Sequence, residues 1–351
     1  MKRLCPQKNE WQGEVLISPG GSQPMQYIGF DIHKRYTFYT QMDAVGQIQR
    51  QGKLTNSRET LAEFFGNVAE PAHVVIEASM NWYHLYDLLE DLDIPVTLAH
   101  PLRTRAIAEA KVKTDKVDST ILAHLLRTDL VPAAYIPPRE IRDLRELLRY
   151  RAALVKLQTM VKNRIHAILL KHGYQCPYTD AFGRQGRKWL STLSLRSVYQ
   201  QALGGFLSVL DTLKVQIQAA AHTIDQEAKA TPIVEQLCTL PGIGHYTALL
   251  ILAEIGEVTR FPAPKHLVSY AGLAPIVHGT GGRVYTGHIT KQGSSWLRWI
   301  LIEAAMHASI RPGRFQQLYQ RLTQRKGPKL ARVVVARELL TTVYWILRHA
   351  H

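Results

Sequence analysis

Four carboxylates occupy positions where acidic side chains are unusual or closely spaced. Asp31 lies inside the apolar run YIGFDIH, and Glu77 ends a second apolar run, HVVIE. A carboxylate in an apolar strand is costly to bury unless a cation or hydrogen bonds compensate it. Asp115 and Asp118 are three residues apart in KTDKVDSTILAHLL, which places them on one face of a predicted helix. The four residues predict a site for Mg²⁺ or Mn²⁺, because hard divalent cations prefer carboxylate oxygens and assist phosphoryl transfer.

Each carboxylate also has a purely structural interpretation. Asp115 and Asp118 would stabilise a helix N-terminus electrostatically, and Glu77 would pair with a nearby Lys or Arg. Asp31 is harder to explain in this way, since both of its neighbours are apolar. The metal site is favoured because all four residues fall on two strands and one following helix of the same predicted sheet.

The elements that would position these residues follow a mixed α/β pattern. Three strands are predicted at 27–32, 36–43 and 47–54, followed by a helix from a cap at Asn56 or Ser57 through Phe65. Strand then alternates with helix, with strands at 73–77 and 95–99 and helices at 81–89, 103–111 and 114–127. This order predicts a mixed sheet covered by helices, an α/β layer architecture.

The remainder of the chain is predicted to be mainly helical. Long helices are expected at 139–171 and about 193–228, and further helical runs at 245–254, 295–308 and 329–349 surround a Gly-rich segment. The leucine-rich stripe of the first long helix fits either an amphipathic helix packed within its own chain or a dimerising arm.

The length of 351 residues exceeds what one hydrophobic core usually supports, so several domains are expected. The predicted parts are an extension at 1–26, an α/β domain at 27–135, a helical, coiled-coil-like arm at 136–233 and a mainly α-helical C-terminal domain at 234–351.

The charge of the chain predicts a polyanionic partner. Lys and Arg number 43 against 28 Asp and Glu, a net charge of +15. Residues 257–351 carry 14 Lys and Arg against three Glu, a net charge of +11. This excess favours nucleic acid, bound with a steep salt dependence, over acidic substrates or anionic membranes.

Other protein classes are disfavoured by the sequence. The three cysteines are too scattered for a disulfide framework, and the 15 histidines form no zinc motif. No apolar run approaches the roughly 20 residues of a membrane span, and the first residues lack an apolar signal core. A cytoplasmic, nucleoid-associated protein without membrane contact is therefore expected.

Two C-terminal motifs contain candidate phosphate contacts. LPGIG ahead of a helix places Gly242 and Gly244 where backbone N–H groups can approach phosphate, as in helix-hairpin-helix DNA binders, although a plain turn is the alternative. The segment APIVHGTGGRVYTGHITKQGS supplies Arg283 and Lys291 as phosphate partners, although a solvated Gly-rich loop would look similar. It is not a Walker loop, because GxxxxGK[ST] is absent.

Basic side chains of the predicted helix at 139–171 are a third set of candidate nucleic-acid contacts. They could follow a phosphate backbone, with a solvated charged face as the alternative. The set comprises Arg142, Arg145, Arg149, Lys156, Lys162 and Arg164.

The motifs, taken in order, resemble a known family. FDIHK at Asp31, VVIEAS at Glu77 and KTDKVD at Asp115 and Asp118 resemble the DEDD transposases of bacterial insertion sequences, in which the first domain is a RuvC-like (ribonuclease-H-like) fold. The resemblance continues through LPGIG, SYAGLAP and GHITKQGSSWLRWILIEAA, and covers nearly everything after Tyr27. The ordered set is similar to insertion-sequence family one-hundred-and-ten, relatives of the pilin-gene invertase and RNA-guided bridge recombinases.

The resemblance implies a covalent nucleophile in the Gly-rich segment. In the family a serine, the ninth residue counted from the Gly of a GLxP motif, attacks DNA phosphate. Counted from Gly272, this place holds Thr280, whose hydroxyl can act as a nucleophile but whose extra methyl crowds in-line attack. Ser294 and Ser295 are nearby alternatives that match the family's GS-x-x-LR helix start, which also contains Arg298, and they are expected to cap that helix.

The resemblance further implies a site-specific DNA recombinase or transposase that acts on element ends and target DNA. It implies guidance by a structured noncoding RNA encoded by the element, assembly as a homodimer or homotetramer, and a catalytic centre shared between protomers. Arg149, Lys156, Arg164, Arg283, Lys291 and Arg298, with Gly242 and Gly244, are the expected nucleic-acid contacts.

Three other functions are weighed against this one. The first is a metal-only RuvC-like junction nuclease that forms no protein–DNA bond. The second is a nucleic-acid-binding relative with weakened catalysis, which the threonine at position 280 suggests. The third is a sugar-kinase-like ATPase with a similar sheet, which the basic charge disfavours.

Overall fold

The computed structural model describes residues 25–68, 71–78, 82–108, 114–280 and 283–350, with side chains described except at 278–280 and 283–286. The extension predicted at 1–26 therefore lies almost wholly outside the described residues. The chain forms two compact units, the first ending at Ile136 and the second beginning at Pro137.

The first unit is built on a five-stranded mixed sheet, which confirms the predicted α/β class. Its strands are β1 (Gln26–Ile32), β2 (Tyr36–Met42), β3 (Ile48–Thr55), β4 (Ala72–Glu77) and β5 (Val96–Ala99). The strand order is β3-β2-β1-β4-β5. The first three strands form an antiparallel meander, while β4 runs parallel to β1 and β5 parallel to β4.

Four helices connect or follow these strands: α1 (Arg58–Gly66), α2 (Trp82–Glu90), α3 (Pro101–Ile107) and α4 (Asp115–Arg127). Ser57 caps α1 and Thr114 caps α4, each accepting a hydrogen bond from a backbone N–H three residues further on. The helix predicted at 103–111 is wrong at both ends. It begins at Pro101, because proline suits the first helical turn, and it ends at Ile107, after which Ala108 is extended. Residues 109–111 of that prediction lie outside the described part.

The two faces of the sheet carry different helices. Side chains alternate along a strand, so Phe30 and Ile76 point to the face that packs against Leu61 of α1 and Leu85 of α2. Val75 points to the opposite face and packs against Leu122 of α4. The same alternation puts Asp31 and Glu77 on the face covered by α4.

A close backbone approach fixes α4 against β1. A Cβ atom on Gly29 would lie 2.1 Å from the carbonyl oxygen of Ser119, so only glycine allows this contact. A hydroxyl pair reinforces it, since Thr40 on β2 and the buried Ser119 lie 2.8 Å apart. Gln51 on β3 donates to Thr120 at 2.9 Å. These contacts place the first turn of α4 beside the end of β1.

The second unit is mainly helical and contains one two-stranded hairpin among its described residues. Its helices are α5 (Arg139–Lys171), α6 (Arg184–Thr192), α7 (Ser197–Ala230), α8 (Pro232–Cys238), α9 (His245–Ile255), α10 (Pro264–Tyr270), α11 (Ser295–Ala308), α12 (Arg314–Lys326) and α13 (Pro328–Ala350), and its strands are β6 (Pro275–Thr280) and β7 (Arg283–Ile289). The helix predicted at 193–228 begins four residues later than expected, and α6, α8, α10 and α12 were not predicted.

The core of the second unit lies between α9, α11 and α13. Leu249, Leu301 and Leu339 are among its fully buried members, and Leu148 of α5 joins them. The later part of α5 packs against α6 and α7 through Val161 and Ile165. The interpretation of α5 as an amphipathic helix packed within its own chain is therefore confirmed for these positions, while Leu157 and Met160 remain exposed. None of the helices in the described residues is both long enough and apolar enough to cross a membrane.

Candidate active site

The acidic side chains at the end of β1 and the start of α4 come together around a histidine. Nε2 of His33 lies 3.2 Å from Oδ2 of Asp31 and 3.3 Å from Oδ2 of Asp115. Tyr36, at the start of β2, donates its hydroxyl hydrogen to the same Asp115 oxygen at 3.0 Å. Potential ligand atoms of Asp31, His33 and Asp115 all lie within 4.8 Å of one another. Two carboxylates and an imidazole at this separation can share one cation.

The histidine in this cluster is incompletely satisfied. Although Nε2 of His33 is close to both carboxylates, neither contact has the alignment of a hydrogen bond, and the atom is buried. A buried polar atom whose close contacts form no well-aligned hydrogen bond is uncommon and calls for an explanation such as an ion. The donor set and the position of this nitrogen thus fit a divalent cation bound at the end of β1.

The electrostatics of the cluster reflect its crowded charges. Burial raises the pKa of Asp31 above its ordinary value, and although His33 opposes this, the charges of Asp115 and Asp118 add to it. Burial also acts to raise the pKa of Asp115, but the hydrogen bond from Tyr36 and the charges of His33 and Lys53 outweigh it and lower that pKa. The carboxylates repel one another, as expected of a site that is completed by a cation.

The other two predicted ligands lie at the edge of this cluster. Asp118 is on the first turn of α4 and is near enough to contribute to the raised pKa of Asp31. Glu77 is the last residue of β4, and the register pairs Phe30 with Ile76, so Asp31 and Glu77 are the next residues on adjacent parallel strands. The structure thus brings Asp31 and Asp115 together directly and sets Glu77 and Asp118 beside them, outside the tight cluster with His33.

Sequence reasoning missed two members of this group, His33 and Tyr36. A signal for His33 was present, because residues two apart in extended chain point to the same side and FDIHK places it two after Asp31. Tyr36 had no comparable signal. Its contact with Asp115 spans 79 residues and depends on how α4 packs on the sheet.

The segment predicted as a Gly-rich loop in the second unit is instead a β-hairpin. Strand β6 ends at Thr280, strand β7 begins at Arg283, and these two residues are paired across the hairpin. Thr280 is therefore the last residue of β6. The side chains of Thr280 and Arg283 lie outside the described part, so their predicted roles have no geometry here.

The motifs flanking the hairpin have definite structural partners. Ser294 accepts from the backbone N–H of Leu297 at 3.1 Å, which confirms its predicted role as the cap of α11. Arg298 donates to the carbonyl oxygen of Ala271 at 3.2 Å. Lys291 is exposed, with a positive φ of 56°. The exposed ammonium group of Lys291 is therefore accessible to a phosphate.

The two glycines of LPGIG differ in what surrounds them. Gly242 has a φ of 85°, and a Cβ there would lie 2.3 Å from the carbonyl oxygen of Ala304 on α11. Its lack of a side chain is therefore required by packing within the protein. Gly244 precedes the first residue of α9 and has open space around it, so its backbone can approach a phosphate.

The basic residues of α5 separate into buried and exposed groups. Arg142 and Arg145 are buried, and Arg145 donates to the carbonyl oxygen of Ala253 at 2.7 Å. The prediction that these two follow a nucleic-acid backbone is wrong, because both side chains are removed from the surface. Lys156 and Arg164 are exposed and stay predicted nucleic-acid contacts.

Arg149 belongs to a buried ionic network. It donates to Oε1 of Glu254 at 2.7 Å, while Ser294 donates its hydroxyl to Oε2 of the same carboxylate at 2.8 Å. The side chain of Glu254 is 4 % exposed. A buried carboxylate is tolerated when cations and hydrogen bonds surround it. The network joins α5, α9 and the N-terminus of α11.

Family comparisons match both units. A profile of DEDD transposases of the IS110 type matches residues 28–173, and a profile described as the transposase IS116/IS110/IS902 family matches residues 234–320. The first range contains all four predicted carboxylates, and the second contains LPGIG and the β-hairpin.

Curated relatives agree with these profiles. The chain is 24% identical over 339 residues to the transposase for insertion sequence element IS1111A of Coxiella burnetii, covering 92% of this chain and 90% of that protein. It is 28% identical over 288 residues to the pilin gene-inverting protein of Moraxella bovis, covering 79% of this chain and 80% of that protein. The pilin gene-inverting protein of Moraxella lacunata is 27% identical over 340 residues, covering 92% and 95%.

Proposed function

Since this chain belongs to the IS110-type transposases and recombinases, we propose that it cleaves and rejoins DNA by metal-assisted attack of a side-chain hydroxyl on phosphate. The observation that carries this proposal is the cluster of Asp31, His33 and Asp115 at the end of β1. The first unit is proposed to be RuvC-like. Its strand order, with three antiparallel strands followed by two parallel ones, supports that assignment.

Asp31 and Asp115, together with His33 between them, would hold Mg²⁺ or Mn²⁺, with Asp118 and Glu77 as ligands at the edge of the site. A divalent cation so bound supplies positive charge to an oxygen of the scissile phosphate and orients it. The carboxylates themselves hold the cation, whose charge offsets their repulsion of the phosphate. Tyr36 keeps the Asp115 carboxylate in place through its hydrogen bond.

Thr280 is the proposed nucleophile, because it takes the place of the family's serine. Its hydroxyl oxygen would lose its proton and form a bond to phosphorus while the phosphodiester bond to the leaving strand breaks, and the leaving oxygen takes up one proton in exchange. Its position at the end of β6, next to two glycines, supports access by a DNA backbone. Ser294 is a weaker alternative, since its hydroxyl is engaged by Glu254 and the start of α11.

The partners are also part of the proposal. DNA at element ends and targets would be held by Lys156, Arg164, Lys291 and the open backbone at Gly244. A structured noncoding RNA would supply sequence recognition by base pairing, leaving the protein mainly backbone and shape contacts, as in other RNA-guided systems. Strand exchange needs several coordinated cleavages, so a homodimer or homotetramer is proposed.

Metal binding tests the first half of this function. Calorimetric titration with MnCl₂ should give saturable binding for wild type and a loss of at least about 10-fold in affinity for Asp31→Asn and Asp115→Asn, because each removes a charged ligand. Asp91→Asn is the matched control, since Asp91 is a surface carboxylate paired with Arg58 at 3.0 Å. Equal affinity in wild type and both cluster variants would remove the metal site from the account.

A further inference from the structure

A cavity of about 650 Å³ opens in the second unit, between α5, the start of α9 and the start of α11. Aromatic side chains, Tyr246, Trp296 and Trp299, form much of its wall, and Arg151 and Lys156 line the same cavity. No acidic side chain of the described residues lines it. Its volume falls within the roughly 300–1,000 Å³ typical of small-molecule sites.

The two tryptophan side chains that line the cavity differ in how closely the protein packs around them. Their ring centroids lie 5.7 Å apart with an interplanar angle of 79°, so one ring stands edge-on to the other. The guanidinium of Arg149 lies 5.6 Å from the ring centroid of Trp296 and is itself held by Glu254. Trp299, in contrast, is 40% exposed. A fixed indole thus supports a second indole whose surface is open to a ligand.

The cationic side of the cavity is also prearranged. The guanidinium of Arg151 lies 4.5 Å from the ring centroid of Tyr246, whose hydroxyl donates to the carbonyl oxygen of Leu148 at 3.1 Å. Arg151 also hydrogen-bonds to Tyr246, but a guanidinium has five N–H donors, so a stacked arginine can still present a pair of them to phosphate. Lys156 is exposed on the next turn of α5 and adds a second cation.

We propose that this cavity binds an unpaired nucleotide, with its base stacked on Trp299 and its phosphate contacted by Arg151 and Lys156. A planar apolar ring and an anionic group on one ligand match the two halves of the lining. Stacking on aromatic side chains is how unpaired bases of DNA and RNA are held without sequence preference. An apolar helix from a partner protein would use the indoles but leave the two cations without a counterpart.

This inference goes beyond the proposed function and does not depend on cleavage. A recombinase that opens duplexes or holds a folded RNA exposes unpaired nucleotides, and the cavity would capture one of them. It uses none of the carboxylates of the first unit and not Thr280. Binding can therefore be measured in EDTA, where failure of the metal or nucleophile assignments has no effect on the result.

Fluorescence anisotropy with labelled oligonucleotides tests the cavity. Three probes of one sequence are used: single-stranded DNA, single-stranded RNA and duplex DNA, so that the source of the nucleotide is resolved. Trp299→Ala should weaken binding of at least one single strand by about 5- to 100-fold, the range expected for one lost base stack, and leave duplex binding unchanged. Trp299→Phe should restore most of the affinity, because an aromatic face is retained.

Trp345→Ala is the matched control, since Trp345 is 49% exposed on α13 and does not line the cavity. It should bind every probe as wild type does, and the melting temperatures of all variants are compared to exclude unfolding. Unchanged single-strand affinity in Trp299→Ala would overturn the proposal. So would an equal loss for duplex, or a change in sedimentation alone, which would assign the cavity to a contact with a second copy of the chain.

Discussion

Asp31 is the residue whose surroundings point most directly to a functional site. It lies on the α4 face of the sheet, where burial raises its pKa, and its Oδ2 and that of Asp115 lie 3.2 and 3.3 Å from the same atom, Nε2 of His33. A carboxylate kept for structure alone would be paired with Arg or Lys, whereas here the nearest charged neighbours include two further carboxylates. The charged form of Asp31 is disfavoured in this environment, and a cation bound beside it would stabilise that charge, which is why the cluster supports a catalytic interpretation.

A second residue, His245, offers a test of the fold around LPGIG. It is the first residue of α9, and its ring donates to Asp225 on α7, which also pairs with Lys229 at 3.0 Å. The other ring nitrogen lies 3.4 Å from Glu235 on α8. The hydrogen bond with Asp225 raises the pKa of His245 above its ordinary 6.5 and, in turn, lowers the pKa of Asp225 below its ordinary 3.8.

The raised pKa of His245 and the lowered pKa of Asp225 determine how the stability of the folded protein depends on pH. The stabilisation from His245 is fully present below its unfolded pKa and is lost as pH rises through its raised folded pKa. The stabilisation from Asp225 is present above its unfolded pKa and is lost as pH falls through its lowered folded pKa. Asp225→Asn should therefore lower the melting temperature at about pH 5.5 and have much less effect at about pH 9.

Differential scanning fluorimetry at the two pH values measures this difference. Asp91→Asn removes an exposed carboxylate that pairs with an arginine, so its effect should be the same at both. A wild-type-like Asp225→Asn at about pH 5.5 would show that the pair between α7 and α9 contributes nothing to stability.

Among the helices and strands, the position of α4 on the sheet determines the geometry of the candidate metal site. Gly29 allows the helix backbone to approach β1, and the hydroxyls of Thr40 and Ser119 meet at the contact. This contact is adjacent to the acidic side chains, since Gly29 is two residues before Asp31 and Ser119 follows Asp118, and it sets the position of the first turn of α4 on the sheet. The site is therefore as sensitive to packing as to its ligands.

Gly29→Ala tests this dependence. The new methyl would lie 2.1 Å from the carbonyl oxygen of Ser119, so α4 must move, and overpacking of this kind costs about 1–3 kcal/mol or more. Chemical denaturation should show this loss of unfolding free energy, and calorimetry should show weakened Mn²⁺ binding although every ligand is retained. Gly66→Ala at the end of α1 is the control, since no atom lies within 4 Å of its added methyl. Equal stability of the two variants would contradict the role of the close approach.

Element prediction from sequence succeeded where periodicity was strong. The five strands and the helices at 139–171 and 295–308 were found because alternation or a continuous leucine stripe marks them. The hairpin of β6 and β7 was missed, although Gly281 and Gly282 between two β-prone runs are a recognised hairpin signal. The glycines were interpreted instead as loop residues that give a phosphate backbone close access.

Long-range contacts were beyond sequence reasoning for a physical reason. Arg145 and Arg149 have the spacing of a charged surface stripe, but Arg145 is buried and Arg149 pairs with Glu254. Their partners are more than 100 residues away, and only the packing of α5 on α9 brings them together. The tryptophan-lined cavity beside them has the same origin, since α5, α9 and α11 each supply part of it.

In the molecule as a whole, the proposed metal-binding carboxylates lie in the first unit and the proposed nucleophile lies in the second. The basic excess of residues 257–351, a net of +11, suits a unit that holds nucleic acid. The first family profile, 28–173, covers the described strands and helices of the first unit and continues through α5 of the second, while the other profile, 234–320, lies within the second unit. Neither half is proposed to cleave DNA without the other.

Covalent capture of DNA tests whether Thr280 attacks phosphate and whether this attack needs the carboxylates of the first unit. Protein is incubated with Mg²⁺, labelled DNA containing the element ends, and RNA transcribed from the flanking noncoding sequence, and the products are separated on denaturing gels. Wild type should form a protein–DNA adduct, Thr280→Ser should form at least as much because the oxygen is kept and a methyl is removed, and both Thr280→Ala and Asp31→Asn should form none while still binding DNA. An undiminished adduct from Thr280→Ala, or cleavage by wild type without any adduct, would contradict the account, the second result in favour of a metal-only nuclease.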